Sequence, residues 1–420
     1  MAKRHEKVIR DPVHDVIAFQ LADEADRLVF ELLQCREVQR LRRIRQLGFA
    51  SLAYPGADHS RYSHSLGVFA TARQILDRLE RDAFQLPPGD RSATLAAALL
   101  HDLGHGPFSH VFERVSGIHH EGVTRRLILD DTTDVHRTLI RFETTLPERV
   151  VALLECRGHQ VACDVLSSQL DADRLDYLLR DNLMTGSRYG RYDLGWLIQA
   201  MTVAEDRLAI RRKGVSAAEA YLQARYHMYR HVYFHKVVRS AEGMVTLALR
   251  RARQLMLDPP RGDVAGVNVA LPPGSGSVAK VLRGDRLEAG EFGDLDDVSV
   301  LSCFKAWRDG GDAALARLSA GLLDRRLFKT IDLADSDAPE AAGQTVIDQL
   351  GETNAFYDSA ANRSYEPGPA GIRVEGGVDL ADASPLVRSL ANLGDEDRFH
   401  RLHVDAEHID TAVDHLNRSK

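Results

Sequence analysis

Residues 101–110 read His-Asp-Leu-Gly-His-Gly-Pro-Phe-Ser-His, so three histidines and an aspartate fall within ten positions. The apolar run at 94–100 precedes them and predicts a buried helix that brings His101 and Asp102 to a pocket. Neighbouring residues of a helix point about 100° apart, close to the angle between adjacent ligands of an octahedral ion. An imidazole nitrogen beside a carboxylate oxygen suits Mn, Fe, Zn or Mg. For this dipeptide alone, an ordinary surface pair at a helix end is the alternative.

Two other segments carry residues of the same chemical types. Residues 54–68 contain a Pro-Gly turn followed by a predicted amphipathic helix with Arg61 and His64. Residues 169–181 contain Asp173 among several other acidic residues. Three such segments in a fixed order are a more specific signal than any one of them.

These ordered motifs resemble the HD superfamily of metal-dependent phosphohydrolases, and most closely its deoxynucleoside triphosphate triphosphohydrolase branch. The resemblance covers roughly residues 8–250, with further matching segments at 10–14, 39–48, 120–121 and 233–236. It implies a helical HD-domain fold, a divalent metal ion and a nucleotide substrate.

The composition is that of an ordinary globular protein. Of the 420 residues, 44% are hydrophobic and 27% are charged. The four cysteines form no C-x-x-C pair, which argues against a disulfide framework or a zinc ribbon and favours a cytoplasmic location. No stretch approaches the ~20 apolar residues of a membrane span, so no membrane partner is expected. The net charge of −7 gives no general attraction for nucleic acid.

An arginine-rich segment is the local exception. It contains Arg36, Arg40, Arg42, Arg43 and Arg45, opposed only by Glu37. The segment is either a solvated basic face or a site for the phosphates of a regulatory nucleotide or a nucleic acid.

The spacing of apolar residues predicts a mainly α protein, with a helical HD-domain core, short β-hairpins and a smaller C-terminal α+β lobe. We expect an HD phosphohydrolase domain at 1–255 and the lobe at 256–420, with a flexible Pro/Gly-rich segment near 258–277. Hairpins are predicted near 15–19 and across 201–212. Helices are predicted at 24–46, 64–81, 92–103, 121–129, 147–156, 172–182, 216–239, 296–320 and 385–393, and strands at 327–333 and 372–374.

The resemblance implies four metal ligands: His64, His101, Asp102 and Asp173. Two neutral imidazoles and two carboxylates leave positions on a six-coordinate ion for a water and a phosphate oxygen. Such an ion lowers the pKa of the water and polarises phosphorus, which phosphoester hydrolysis requires.

Three further histidines fit acid or phosphate-binding roles. The family match makes His110 the proton donor to the leaving oxygen and places His105 and His120 against the phosphates. Glu113, three residues after His110, can orient that imidazole and keep it protonated. His105 shares the face of His101 only if the helix continues past the His-Asp pair. For His120, a polar residue at a helix N-terminus is the alternative.

Four cations are candidates for neutralising a triphosphate. Arg61 lies three residues before a predicted ligand and Arg174 lies beside another; guanidinium groups bind phosphate oxygens in pairs. The family often has lysine at the Arg174 position, which keeps the charge. Arg225 and Lys236 on the predicted 216–239 helix are either phosphate ligands or ordinary solvated charges.

The sugar and the base are expected to meet a second set of residues. Tyr177 and Asp181 are four positions apart and share a helical face, where the ring can press on a sugar and the carboxylate can accept from a 3′-hydroxyl. The family match implies that Tyr233 fills the space of a 2′-hydroxyl and that Gln46 and Leu47 meet the base and sugar. Core packing is the alternative for the tyrosines.

The chain departs from the animal SAM-and-HD-domain enzyme in two regions. Phe234 and Tyr229 replace its glutamine and histidine near the sugar and base, so its base preference is not implied here. Gln39 and Arg42 match residues that hold an activating guanine nucleotide there. Gln34 stands where the guanine-reading aspartate is expected, which leaves that regulatory site incomplete.

Hydrolysis of a deoxynucleoside triphosphate at the α-phosphorus is therefore the leading hypothesis. The alternatives are hydrolysis of another nucleotide (a monophosphate, an unusual or a signalling nucleotide) and a nucleic-acid-binding protein with a structural metal. Guanosine tetraphosphate hydrolases follow His-Asp with Glu-Asp, and cyclic dinucleotide phosphodiesterases carry Gly-Tyr-Pro; neither pattern is present. The resemblance also implies a homo-oligomer, a dimer or a tetramer.

Overall fold

The computed structural model describes residues 6–258, 269–334, 336, 338–393 and 397–418, with the backbone alone for His110. Helices predominate in these residues, which confirms the predicted mainly α class with small sheets. None of the described helices is both long enough and apolar enough to cross a bilayer. Residues 259–268 of the predicted flexible segment lie outside the described residues.

Twenty-one α-helices are found in the described residues. They are α1 (Glu24–Leu32), α2 (Arg36–Arg40), α3 (Arg61–Arg81), α4 (Asp90–Leu100), α5 (His110–Ser116), α6 (His120–Leu129), α7 (Asp134–Phe142), α8 (Leu146–Leu154), α9 (Gln160–Leu166), α10 (Ala172–Thr185), α11 (Leu194–Ala200), α12 (Val215–Met228), α13 (Lys236–Leu257), α14 (Gly276–Arg283), α15 (Ala289–Phe292), α16 (Asp297–Trp307), α17 (Ala313–Leu323), α18 (Pro339–Leu350), α19 (Leu380–Ala383), α20 (Pro385–Leu393) and α21 (Ile409–Arg418).

Within the described ranges the strands form three small sheets. Strands β1 (Glu6–Asp11) and β2 (Asp15–Gln20) make an antiparallel hairpin. A second sheet has the order β3-β4-β7-β8, from Met201–Ala204, Arg207–Ile210, Arg373–Val374 and Val378–Asp379. The third has the order β5-β9-β6, from Lys329–Asp332, Arg398–Val404 and Ala355–Ala361. Both predicted hairpins are confirmed; in the second, Glu205 and Asp206 take the positive φ that a tight two-residue turn requires.

Three predicted helices are each interrupted, and those predictions are wrong in length. The 24–46 helix stops at Leu32, and Cys35 adopts an extended conformation before α2. The 216–239 helix is divided into α12, one π-helical turn at Tyr229–Tyr233, and α13. His235 caps the start of α13 by accepting a hydrogen bond from the Val237 amide. The 296–320 helix breaks near residue 310, where Asp312 caps α17. In the last two cases a local cap starts a new helix where apolar periodicity alone predicts continuation.

One large hydrophobic core contains residues from both sides of position 255. Phe69 and Leu99 pack in the same cluster as Met244 of α13 and Phe304 of α16. A separate small core, including Val346, Leu402 and Val404, lies under the β5-β9-β6 sheet. The main core extends across position 255, so the core does not mark a boundary there. The boundary at 255 therefore stays a prediction.

Candidate active site

The His-Asp pair lies just after α4 rather than on it. The helix ends at Leu100, and Nδ1 of His101 donates a hydrogen bond to the Ala98 carbonyl oxygen, 2.9 Å away. The predicted 92–103 helix therefore ends three residues early, and it does not continue to His105, which was the condition for His105 to share a face with His101. The chain turns instead, and Gly104 lies so close to α6 that a Cβ there would be 2.2 Å from the His120 carbonyl oxygen.

The turn brings the four predicted metal ligands together at the ends of α3, α4 and α10. Nε2 of His64 lies 2.9 Å from Oδ1 of Asp173 and 3.9 Å from Oδ2 of Asp102. Nε2 of His101 lies 3.3 Å from Oδ1 of Asp102 and 3.7 Å from Oδ1 of Asp173. His64 is wholly buried, whereas the side chain of Asp173 is 37% exposed and faces the cavity.

This cluster has the donor set of a divalent metal site. Nε2 of His101 is buried and has no hydrogen-bond partner among the described residues, although two carboxylates lie within 4 Å of it. Its Nδ1 carries the proton donated to Ala98, so Nε2 is the nitrogen that faces the cluster; burial lowers the pKa of this ring, Asp102 and Asp173 raise it further than burial lowers it, and a metal ion would bind Nε2 in place of a proton. Ligand atoms of His64, His101 and Asp173 all lie close enough to share one ion. Two imidazoles and carboxylates fit Mn, Fe, Zn or Mg, and the donors do not choose among these metals.

A buried network that sequence reasoning missed orients His64. Nδ1 of His64 donates to Oδ2 of Asp176 at 2.8 Å, and Nε2 of His14 donates to Oδ1 at 2.8 Å. Arg180 donates to both oxygens of Asp176 and to both oxygens of Asp11. The spacing of Asp176 from the metal ligand on the same helix was a usable signal; the role of His14 was not readable, because it acts from the β1–β2 hairpin.

The carboxylates also set the charge of His64. Burial disfavours the charged ring, but Asp173 and Asp176 raise the pKa of His64 to about 10. Without a metal ion the ring therefore carries two protons near neutral pH, and a metal would displace the one on Nε2.

A second histidine cluster lies beside the first. The rings of His105 and His120 stack 3.8 Å apart, and Nε2 of His105 lies 3.3 Å from Oδ1 of Asp102. Glu113 accepts hydrogen bonds from the backbone amide and from Nδ1 of His120. Burial and the nearby Arg61 lower the pKa of His105 to about 3, so this ring is neutral. The predicted proton donor His110 begins α5, but its side chain lies outside the described residues.

Both clusters open into a cavity of about 970 Å³. Arg61, Arg174 and Arg225, the arginines predicted to bind phosphates, line it. Arg61 is already engaged, because it contacts Asp102 and donates from Nε to Oγ of Ser109 at 2.8 Å. Arg225 is 9% exposed, and its Nε and Nη1 are buried with no hydrogen-bond partner in the described part of the chain.

The predicted sugar-binding residues line the cavity from α10 and the π-helical turn. The rings of Tyr177 and Tyr233 meet edge to face, 6.1 Å between centroids. The hydroxyl of Tyr233 donates to Oδ2 of Asp181 at 2.8 Å, and Nε2 of His59 donates to Oδ1 at 2.7 Å. Sequence reasoning assigned His59 no role.

Other predicted residues divide between the cavity and its surroundings. Gln46 and Leu47 line the cavity, whereas Lys236, at the exposed start of α13, does not. Gln39 donates to the Leu33 carbonyl oxygen and accepts from Nε of Arg42. The cavity lining also includes both departures from the animal enzyme, Tyr229 and Phe234.

Comparison with known proteins agrees with this geometry. A model of the HD domain matches residues 61–155, which contain His64 and the His-Asp pair, and a model of the HD associated region matches residues 192–259. The chain is 35% identical over 427 residues to YwfO of Bacillus subtilis, an uncharacterized protein, and the match covers 98% of this chain and 94% of that one. The chain belongs to the HD-domain family.

Two further relatives of this HD-domain chain carry functional names. A phosphohydrolase of Bacteroides thetaiotaomicron has the same fold, with a TM-score of 0.80 and 29% identity over 95% of this chain and 99% of that one. The deoxynucleoside triphosphate triphosphohydrolase SAMHD1 homolog of Dictyostelium discoideum is 28% identical over 272 residues, covering 61% of this chain. The match spans only 51% of that relative, about half its length.

Proposed function

We propose that this HD-domain phosphohydrolase cleaves deoxynucleoside triphosphates at the α-phosphorus, releasing deoxynucleoside and inorganic triphosphate. The observation that carries the proposal is the buried guanidinium of Arg225, which lies over the Tyr229 ring in the cavity beside the histidine–aspartate cluster and whose Nε and Nη1 have no hydrogen-bond partner among the described residues. A buried cation without a hydrogen-bond partner is costly unless an anionic ligand satisfies it. Relatives named as deoxynucleoside triphosphate triphosphohydrolases support the choice of substrate.

His64, His101, Asp102 and Asp173 would hold the divalent ion. When bound, the ion supplies a water of lowered pKa and charge neutralisation at the phosphate.

The chain's own residues bind and orient the nucleotide. Arg174 and Arg225 bind phosphate oxygens, and the side chain of Arg61 holds Asp102 in place. Neutral His105 and its stacked neighbour His120 offer hydrogen bonds to the phosphates. His110 gives a proton to O5′ of the deoxynucleoside as the bond from O5′ to the α-phosphorus breaks, and water oxygen becomes the new substituent of triphosphate.

The aromatic wall selects the sugar. Tyr233 is held by its hydrogen bond to Asp181, so its ring has a fixed position against the space of a 2′-hydroxyl. Tyr177 packs on the sugar, Asp181 faces its 3′-hydroxyl, and Gln46 and Leu47 meet the base. Lys236 stays a candidate for the outer phosphates, and Gln39 with Arg42 a candidate regulatory pair.

A product assay tests the proposal. The purified chain is incubated with each deoxynucleoside triphosphate and Mn²⁺ or Mg²⁺, with and without GTP, and the products are separated by chromatography. Deoxynucleoside and intact triphosphate, both lost in Asp102→Ala, are the expected result. Release of orthophosphate or pyrophosphate instead would place the cleavage elsewhere and contradict the proposal.

A second arm separates the alternatives. Absence of turnover on every deoxynucleotide, with turnover of a monophosphate or another nucleotide that Asp102→Ala abolishes, would support an HD phosphohydrolase of different substrate. Light scattering at micromolar concentration tests the predicted dimer or tetramer, which a strict monomer would contradict.

A further inference from the structure

The loop that precedes α5 has a strained backbone. Phe108 and Ser109 have φ values of 52° and 53°, a region that bulky L-residues rarely adopt. Such conformations persist only where the surrounding structure holds them in place. Because Ser109 is the residue before α5, these two torsions set where that helix begins beside the metal-ligand cluster.

A residue 189 positions further along the chain holds this backbone. Oδ1 of Asp297 accepts the Phe108 amide at 2.9 Å, and Oδ2 accepts the Arg45 amide at 2.9 Å. Asp297 is the first residue of α16 and is 3% exposed. Both of its carboxylate oxygens therefore tie the C-terminal half of the chain to segments that line the cavity.

The same C-terminal segment supports the His-Asp turn through Arg40. This guanidinium is 1% exposed and donates to the carbonyl oxygens of Leu103, His105 and Leu295. It also stacks on the ring of Phe292, 4.3 Å from the centroid. One arginine thus joins residues 103–105 to the segment just before Asp297.

Residues 293–297, read Gly-Asp-Leu-Asp-Asp, lie along the arginine-rich segment. Asp294 pairs with Arg36 at 2.8 Å, and Asp296 pairs with Arg43, which also donates to the Gly293 carbonyl oxygen. These arginines therefore have intramolecular partners, which gives the basic segment a structural role.

We propose that Asp297 is a positioning residue for the active site, holding the strained backbone of Phe108 and Ser109. The effect reaches the metal ligands through Ser109, whose Oγ accepts from Arg61, and through Arg61, which contacts Asp102. The C-terminal half of the chain thereby takes part in shaping the site. The loop-holding role stands on geometry alone, whereas its consequence for turnover rests on the proposed function.

Amide hydrogen exchange, read by mass spectrometry on peptides covering residues 103–112, tests the role of Asp297. Asp297→Asn keeps the shape of the side chain but removes one acceptor and the charge. Loss of a hydrogen bond to a charged group predicts exchange of these peptides about tenfold faster or more. Peptides of α3 and α10 are expected to exchange as in the unaltered chain.

Asp294→Asn is the matched control, because this aspartate lies in the same segment but its side chain is 64% exposed and pairs with Arg36. We expect it to leave the loop unchanged. If Asp297→Asn does not fold, Asp297→Glu replaces it, since it keeps the charge and displaces the carboxylate by one methylene. Loop exchange equal to that of the unaltered chain in the folded variant would overturn the proposal.

Turnover is the second readout. With a substrate in hand, Asp297→Asn is expected to lower kcat while changing KM and the affinity for Mn²⁺ by about twofold at most, since no metal ligand or cavity arginine is itself substituted and the effect on Asp102 passes through Ser109 and Arg61. Equal loss in kcat and metal affinity would indicate general damage and contradict positioning. If the chain turns over no substrate, the exchange result still decides the role of Asp297.

Discussion

His64 lies between two carboxylates: its Nδ1 donates to Asp176 at 2.8 Å, and its Nε2 faces Asp173 at 2.9 Å. The first contact fixes the ring and its tautomer, and the second leaves the other nitrogen for a metal ion. Asp176 is itself held by His14 and Arg180, so a hairpin at the N-terminal end of the described chain orients a ligand of the candidate metal site.

Asp176→Asn is expected to weaken metal binding about 10- to 100-fold, because an amide orients and polarises the His64 ring less well than a carboxylate. Calorimetric titration with Mn²⁺ measures the change in affinity. Asp131→Asn, at an exposed position, is the control. Since Arg180 loses a buried partner, thermal melting must first establish that the variant folds; a folded variant with unchanged affinity would contradict the assignment.

Metal affinity is expected to increase with pH between about 6 and 8. The pKa of His64 is about 10 without a metal, since Asp173 and Asp176 outweigh the effect of burial, so binding at neutral pH must release a proton. At pH values below that pKa, the affinity for the metal then increases about tenfold for each unit by which the pH is raised. Calorimetry in two buffers of different ionisation enthalpy counts the protons released on metal binding. A count of zero at pH 7 would contradict the displacement of a proton from His64 by the metal.

Arg225→Gln is expected to lower kcat/KM by about tenfold or more, because the buried guanidinium is placed to bind phosphate oxygens with charge-assisted hydrogen bonds. Steady-state kinetics on the best substrate measures the loss. Arg212→Gln removes an exposed arginine from a short turn outside the cavity and serves as the control. Similar kinetics for the two variants would exclude Arg225 from substrate binding.

Tyr233→Ala is expected to admit ribonucleotides. The ring occupies a fixed place because its hydroxyl bonds to Asp181, and its removal opens space for a 2′-hydroxyl. The ratio of kcat/KM for deoxy- over ribonucleotide should fall about tenfold or more, as for loss of a steric contact worth 1–3 kcal/mol. Tyr233→Phe keeps the ring and should keep most of the discrimination; an unchanged ratio in the alanine variant would place sugar selection elsewhere.

The pH dependence of stability offers a test of the Asp297 environment. Burial raises the pKa of Asp297 to about 6, although the amides of Arg45 and Phe108 oppose the shift; the nearby charges are Arg45 and Asp296. In the unfolded chain the pKa is about 3.9. The folded state therefore binds a proton on the Asp297 carboxyl more tightly than the unfolded state does. The contribution of this protonation to the free energy of unfolding is lost as the pH rises from about 4 to 6.

Asp297→Asn removes this titration. Denaturant unfolding at about pH 4.5 and pH 7 should show the unaltered chain losing stability relative to the variant as pH rises, by up to about 1.4 kcal/mol per pH unit crossed. The same stability difference at both pH values would show that Asp297 titrates normally.

Local signals allowed much of the fold to be predicted. Three signals each act within a few residues: the turn at Glu205 and Asp206, the Pro-Gly turn before α3 and the apolar run of α4. Each of these elements forms at the residues where its signal lies. Helix breaks were harder to predict. A side-chain cap such as Asp312 competes with continued periodicity, and the outcome depends on packing against distant elements.

The site divides in the same way. Its four candidate ligands lie in short motifs that resemble those of the HD superfamily, so the resemblance was sufficient to name them as candidates. Of the residues that support them, only Asp176 left a signal, through its spacing from Asp173. The contacts of Asp176 with His14 and His64, and of Arg180 with Asp11, each join residues more than a hundred positions apart. The arginine-rich segment shows the same limit, since charge alone does not distinguish a ligand site from an internal partner.

By itself the sequence determined the helical class, the HD-family membership and the identity of the candidate ligands, since these depend on local periodicity and on residue types in a fixed order. Tertiary structure alone decided which carboxylate orients His64, which arginine of the cavity has two nitrogens without a hydrogen-bond partner in the described part of the chain, and that Asp297 reaches the loop before α5. Hydrogen bonds and burial depend on distance in space, and only the folded chain brings residues 108 and 297 to 2.9 Å.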